Sequence, residues 1–367
     1  MTGGIYIHFP YCEHRCSYCD FVVATPRHIP QERFTEAVLA EVKQRSDAFT
    51  TPAQTLYLGG GTPSLWDLNQ LERVINAIKE RPGLMDHAEV TIEANPSEVS
   101  AERLSHMRSI GINRISLGVQ SFQDDLLKGV ERMHTGAQAD TACRLIVEAG
   151  FQSYSFDLIF GLPQQSLKTW LKDLDHAIEI RPPHLSVYGL TVEANTLMHH
   201  QVRTKRISVP DDTEQADMMF QARERLSKAG YIHYEVSSYA LSGHRAQHNS
   251  SYWQGTPYLG IGPGAHGFLP PRRWVNMKAP QGYIESALKG HVHETFEDLE
   301  PETLRFERLM TGLRDLEHGV PVEAYKAPYA EALARQTQLG NLTLTDERIR
   351  LTDRGLRHMN SVLLDLI

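Results

Sequence analysis

Six short strand-like segments alternate with helix-like segments through the first two-thirds of this chain, and that alternation limits the fold more than any other feature. The strand-like segments are residues 4–9, 55–59, 89–94, 114–119, 153–160 and 184–190. Each is rich in β-branched or aromatic side chains and is bounded by Gly, Pro or Asn. Helical patterns occupy 31–45, 68–80, 101–110, 141–150, 167–180 and 212–230; in the second, apolar residues at 68, 71, 74, 75 and 78 share one helix face. Repeating βα units build a parallel sheet, because a parallel connection needs a crossover long enough to hold a helix. Six units fall two short of a closed eight-fold barrel. The expectation is α/β, either a partial barrel or an open doubly wound sheet; periodicity does not choose between them.

The residues at the strand ends carry chemistry. The first strand runs into Cys12, Cys16 and Cys19, the second into Gly59-Gly60-Gly61-Thr62-Pro63, the third ends in Glu93-Ala-Asn-Pro, and the fourth in Gln120. The fifth carries Asp157, and the sixth runs into Tyr188-Gly-Leu-Thr191. In parallel α/β folds ligands bind at the carboxyl edge of the sheet. The glycine run lacks a following Lys-Ser/Thr, so it is no P-loop, and it does not match the spaced dinucleotide fingerprint. Bare glycine backbone lets a ligand's ammonium group approach carbonyl oxygens closely. Together with Glu93, Gln120, Arg132 and Asp157, which offer one cation and several hydroxyl-binding groups, it suits an amino-acid nucleoside.

Cys12, Cys16 and Cys19 are spaced C-x3-C-x2-C, with no fourth cysteine nearby. Three thiolates can hold three irons of a [4Fe–4S] cube and leave the fourth iron open to a small molecule. A structural zinc site wants four ligands, which His8 or His14 could complete, so zinc stays a rival on spacing alone. A disulfide is disfavoured, since it leaves one thiol over and no secretory signal is apparent. Cys143, the remaining cysteine, lies on an apolar helical face and is expected in the core. A net charge of −8 argues against nucleic acid as the default partner. No apolar run is long enough to span a bilayer, which leaves only peripheral membrane contact open, and the expected compartment is the reducing cytoplasm.

The cysteine loop, Gly-Gly-Gly-Thr-Pro and the six βα units together resemble the radical S-adenosylmethionine superfamily over roughly the first 235 residues. The resemblance implies a partial (β/α)6 barrel whose open cluster iron chelates the amino and carboxylate groups of S-adenosylmethionine. Within it, Tyr6-Ile-His-Phe-Pro-Tyr-Cys, Gly59-Gly-Gly-Thr-Pro-Ser, Ile115-Ser-Leu-Gly-Val-Gln-Ser-Phe and Asp157-Leu-Ile-Phe-Gly-Leu-Pro resemble the coproporphyrinogen III dehydrogenase (HemN) branch. By motif, Tyr6, Tyr18, Gly60, Gly61, Thr62, Glu93, Gln120, Arg132 and Asp157 would line the S-adenosylmethionine site, with Thr191 beside them. Two features depart from the dehydrogenase: Phe21 stands where it has a further cysteine, and its N-terminal extension is absent before residue 12. Both match the HemW-type heme chaperones of the same family, as does His248-Asn249-Ser-Ser-Tyr252-Trp253, their H-N-x-x-Y-W motif.

In that family the motif is linked to heme. Physically, a histidine can ligate heme iron and Tyr252 and Trp253 could flank a porphyrin, although a single histidine is ordinarily a hydrogen-bonded structural residue. His266, in the glycine-dense run that follows, is a second candidate. The expected organisation is a barrel over 1–235, a connecting segment over 236–294 and a C-terminal domain over 295–367. The last reads as a helix over 301–317, a helix over 322–339 broken near Pro328, two short strands from 342 to 352, and a helix over 353–366. That order is α+β and winged-helix-like, suited to docking or to a lid. The function the resemblance implies is a heme chaperone with heme-accepting partners; oxidative decarboxylation of coproporphyrinogen III is the alternative.

Overall fold

A computed structural model of the chain describes residues 3–292 and 294–366. Its six βα units are built on β1 (Gly4–Phe9), β2 (Ala53–Gly60), β3 (Leu84–Ala94), β4 (Arg114–Gln120), β5 (Ser153–Phe160) and β6 (His184–Gly189). These strands run parallel in sequence order. The sheet continues past both ends, through β7 (Ile232–Glu235), β8 (Ser238–Ala240), β9 (Tyr258–Ile261), β10 (His266–Leu269), β11 (Arg272–Asn276) and β12 (Glu294–Asp298). Among the described residues the spatial order is β12-β11-β10-β9-β1-β2-β3-β4-β5-β6-β8-β7. The α/β partial barrel is therefore confirmed as an open sheet, with β9 added parallel to β1 and antiparallel strands beyond it.

The two faces of β1–β6 divide cleanly by side-chain parity. Ile5, Ile7, Phe9, Leu56, Leu58, Val90, Ile92, Ile115, Leu117, Phe156, Leu158, Leu185 and Val187 join the helices in one buried core. The alternate residues are polar and bond to one another across the opposite face: Tyr57 to Glu93, Ser116 to Asp157, and Ser155 to Ser186. A parallel sheet usually buries apolar residues on both faces. Here one face is kept polar, which is costly unless every group finds a partner.

Helices Gln31–Arg45, Leu68–Glu80 and Leu167–Ile180 begin and end where the apolar period places them. The helix expected over 141–150 starts earlier, at Gly136, because Thr135 and Gln138 form a capping box. In the C-terminal part, helix Pro301–Gly312 ends before the expected 317. The next helix is confined to Ala330–Gln338, behind a short turn at Val322–Ala324, and the last pattern splits at His358 into Asp353–Arg357 and Met359–Asp365. These pack with three short strands, β13 (Val320–Pro321), β14 (Leu342–Leu344) and β15 (Arg348–Leu351), around their own core of Leu309, Leu313, Leu333, Ile349 and Val362.

The amino end of the barrel is plugged by helix Gln247–Trp253, which carries the H-N-x-x-Y-W motif. The Glu89 carboxylate accepts the Gln247 and His248 backbone N–H groups at 2.9 and 3.0 Å, satisfying donors that a helix start leaves free. Arg114 lies 3.9 Å from Glu89, and His184 bridges Ser155 and Tyr234 at 2.8 Å each. The C-terminal module docks on this side: Val236 donates its N–H to Arg314, Leu316 donates to Tyr234, and Arg245 pairs with Glu317. Among the described residues no helix is long and apolar enough to cross a membrane.

Candidate functional site

At the carboxyl edge the polar face opens into a cavity of 390 Å3. Cys12, Cys16 and Cys19 line it on the loop after β1, with Tyr18 beside them. Gly60 ends β2, and Gly61 and Thr62 follow it; Glu93 lies on β3; Gln120 ends β4; Arg132 and Asp157 complete the ring with Thr191. Strand parity explains the convergence: Glu93, Ser116 and Asp157 all project from the polar face near the strand ends, so the sheet gathers them without any long loop.

Gly61 shows how tightly the loops meet. A Cβ there would lie 2.6 Å from the Tyr11 carbonyl oxygen and 3.0 Å from Cys12 Sγ, so only glycine lets the second loop pass beneath the cysteines. Gly60 has φ +113°, a conformation that favours glycine, and its N–H donates to Glu93 at 2.9 Å. Thr62 donates its hydroxyl to Cys12 Sγ at 3.4 Å.

Burial holds the Cys12 thiol at about 11, against the pull of Thr62, and raises Cys19 as well. An isolated buried thiolate is therefore disfavoured, and these sulfurs need a cationic partner to ionise. Arg132 donates to Cys16 Sγ at 3.8 Å, and also to Asn95 and the Gly118 carbonyl at 2.7 and 2.8 Å. Bound iron would deprotonate the thiols outright. Among the described residues no three His, Cys, Asp or Glu side chains converge as a single-ion cage. A cube asks only for one thiolate on each of three irons.

The far wall suits a polar organic ligand. Glu93 accepts from the Tyr57 hydroxyl at 2.8 Å, and burial pushes its carboxyl up to about 7. Burial also raises Asp157, which accepts from Ser116 and Ser155 at 2.8 Å each. Gln120 sits at φ +65° with its Oε1 buried and unpartnered, and Arg132 Nε is likewise unpartnered. Unsatisfied buried polar atoms facing a cavity are what a missing ligand would satisfy. His134 is held neutral, near 4, by burial and by Arg132, and its ring bonds the Val119 carbonyl at 3.1 Å.

Two of the expected site residues lie elsewhere. Tyr6 is absent from this cavity; its hydroxyl meets His8 Nδ1 at 3.0 Å and its ring stacks on Tyr57. His248 lies in the plug at the opposite end, buried, with Nδ1 against Thr55 Oγ1 at 2.7 Å and Nε2 against the Tyr252 hydroxyl at 2.8 Å. Both ring nitrogens are thereby occupied. The residues missed by sequence, Tyr57, Ser116 and Asn95, share strand parity or a strand end with Glu93 and Asp157, and that alternation is the signal that could have found them.

The profile described as the Radical SAM superfamily matches residues 6–177, and that of the HemN C-terminal domain matches residues 299–358. The protein named heme chaperone HemW of Escherichia coli (strain K12) is 36% identical, with 98% of this chain and 97% of that protein covered. HemW of Lactococcus lactis subsp. lactis (strain IL1403) is 34% identical, covering 98% and 96%. The solved structure of coproporphyrinogen III oxidase (HemN) from Escherichia coli superposes with a TM-score of 0.84 over 100% of this chain and 89% of that one; at 21% identity this is a likeness of fold.

Proposed function

This chain belongs to the HemW family of the radical SAM superfamily, and on that premise we propose that it is a heme chaperone, binding heme and passing it to acceptor proteins. The observation that carries the reading is the match to HemW proteins along almost the whole of both chains. The superfamily's cofactors fit the residues present. Cys12, Cys16 and Cys19 would hold a [4Fe–4S] cluster, which when bound can pass an electron to S-adenosylmethionine. Gly60, Gly61 and Thr62 would present backbone and hydroxyl groups to the amino-acid end of that molecule, and Arg132 would counter its carboxylate. Glu93, Gln120 and Asp157 would take its remaining polar groups, with Tyr18 closing the side next to the cysteines. The compartment that suits three reduced thiols is the cytoplasm.

The dehydrogenase alternative is disfavoured by Phe21, an exposed phenylalanine where a cysteine stands in that enzyme. The test is anaerobic reconstitution with iron and sulfide, followed by two assays. We expect saturable hemin binding with delivery to an apo-hemoprotein, and no protoporphyrinogen IX from coproporphyrinogen III with S-adenosylmethionine and reductant. Repeated turnover of coproporphyrinogen without hemin binding would replace this reading by the dehydrogenase.

A further inference from the structure

A second cavity, of 340 Å3, lies on the other side of the segment that follows the cysteines. Its lining is part aromatic and part polar: Tyr252 and Tyr258 meet edge to face at 4.7 Å, Phe21, 58% exposed, stands beside them, and Asp20 is the carboxylate at its edge. Gly264 brings backbone against Val22 here, since a Cβ at Gly264 would lie 2.8 Å from that side chain. Two histidines face the space. His8 is fully engaged, with Nε2 at 2.7 Å from the Val22 carbonyl and Nδ1 at 3.0 Å from Tyr6. The exposed ring of His266 is hydrogen-bonded to nothing among the described residues. Lys278, at the same cavity, has no carboxylate partner among the described residues.

We propose that His266, and not His248, is the protein's axial ligand to heme, with the macrocycle against Phe21, Tyr252 and Tyr258 and a propionate on Lys278. This rests on the heme-chaperone reading and deepens it. A heme site needs a free imidazole nitrogen, flat apolar cover and a cation for the carboxylates. The second cavity supplies all three, whereas the plug around His248 offers no free imidazole nitrogen: that ring is buried and both its nitrogens are bonded. The role of His248 is then positional. It fixes the Tyr252 hydroxyl, whose ring is a wall of the cavity. The same placement sets the heme beside the 20–22 segment, directly after Cys19.

The test is hemin titration of the full chain followed by absorption and electron paramagnetic resonance, on wild type, His266→Ala, His266→Gly and His248→Gln. Wild type should bind saturably with a shifted Soret band. Both His266 variants should lose the imidazole-ligated spectrum and bind roughly tenfold more weakly or worse, and added imidazole should restore the spectrum. Circular dichroism and reconstituted iron content should stay at wild-type levels. His248→Gln should keep the wild-type Soret position. An unchanged spectrum in His266→Ala, or loss of imidazole ligation in His248→Gln alone, overturns the assignment. A wild-type chain that takes up no hemin overturns the heme-chaperone reading itself, and the ligand with it.

Discussion

Glu93 shows what burial does to one carboxyl in this cavity. Its pKa is pushed up to about 7 by desolvation, although Tyr57 and Gly60 both donate to it and favour the ionised form. The unfolded chain holds such a group near 4.5. Since the folded value is the higher one, the contribution to stability is full below about 4.5 and is lost as pH rises through about 7. In cluster-free protein without S-adenosylmethionine, Glu93→Gln should therefore flatten the fall of Tm between about pH 5 and 8, a difference of about 3 kcal/mol at most. Parallel melting curves for the two proteins would refute the assignment. At Gly61 the constraint is space. Gly61→Ala forces a methyl against the Tyr11 carbonyl and Cys12 Sγ, and should cut reconstituted iron well below wild type while Gly129→Ala, whose Cβ meets nothing within 4 Å, keeps it. Equal iron content in both would show that the loop yields. Glu93, Gln120 and Asp157 could be singled out because each lies on the carboxyl half of its strand, whereas Arg132 lies off the sheet, between helices Asp124–Gly129 and Gly136–Glu148, and only the motif pointed to it. Tyr6, named with them from the motif, lies outside the cavity's lining because it projects from the polar face near the start of β1 and its hydroxyl meets His8.

The element hardest to read was helix Gln247–Trp253. It is seven residues long, polar, and has no apolar period, so the motif was visible while its place in the fold was not. What makes it a helix is tertiary: Glu89 caps it from β3, and Thr55 and Tyr57 receive His248 from β2. Losing that buried carboxylate also strips Arg114 of its ion-pair partner. Glu89→Ala should cost about 3–5 kcal/mol by chemical denaturation, the range for breaking a buried pair; a loss under about 1 kcal/mol would mean that the plug stands without its cap. The plug is also acid-sensitive. Burial, then Arg114, depresses His248 to about 3, so its contribution is full above about 6.5 and is lost as pH falls from there toward about 3. His248→Gln should reduce the loss of Tm between pH 7 and 4; an acid limb as steep as wild type would place the titrating group elsewhere, with His184 the next candidate.

At the scale of the molecule, the segment over 236–294 supplies the plug and four strands of the main sheet, β8 to β11, with β12 running on from its end, while among the described residues the C-terminal module lines no part of the cysteine cavity. The six parallel strands were readable because each is apolar on alternate residues and long enough to show it. The added strands were not, being three to five residues long, with glycine inside β9 and β10. Of the two roles that an α+β tail suggested, docking and lid, the contacts favour docking, and against the barrel floor. Arg314 lies 5.6 Å from the centre of the Trp253 ring, and Leu316 donates to the Tyr234 carbonyl. Trp253 thus joins the plug to the module, so a change there should loosen one without touching the other end of the sheet. Trp253→Ala removes both the ring's apolar area and a cation–π contact worth about 0.5–2 kcal/mol. Hydrogen exchange should quicken across residues 301–366 and at β7, while iron content and S-adenosylmethionine affinity hold. If exchange quickens instead around Cys12–Cys19 and iron is lost, the module and the cofactor cavity are one cooperative unit, and the separation drawn from their geometry fails.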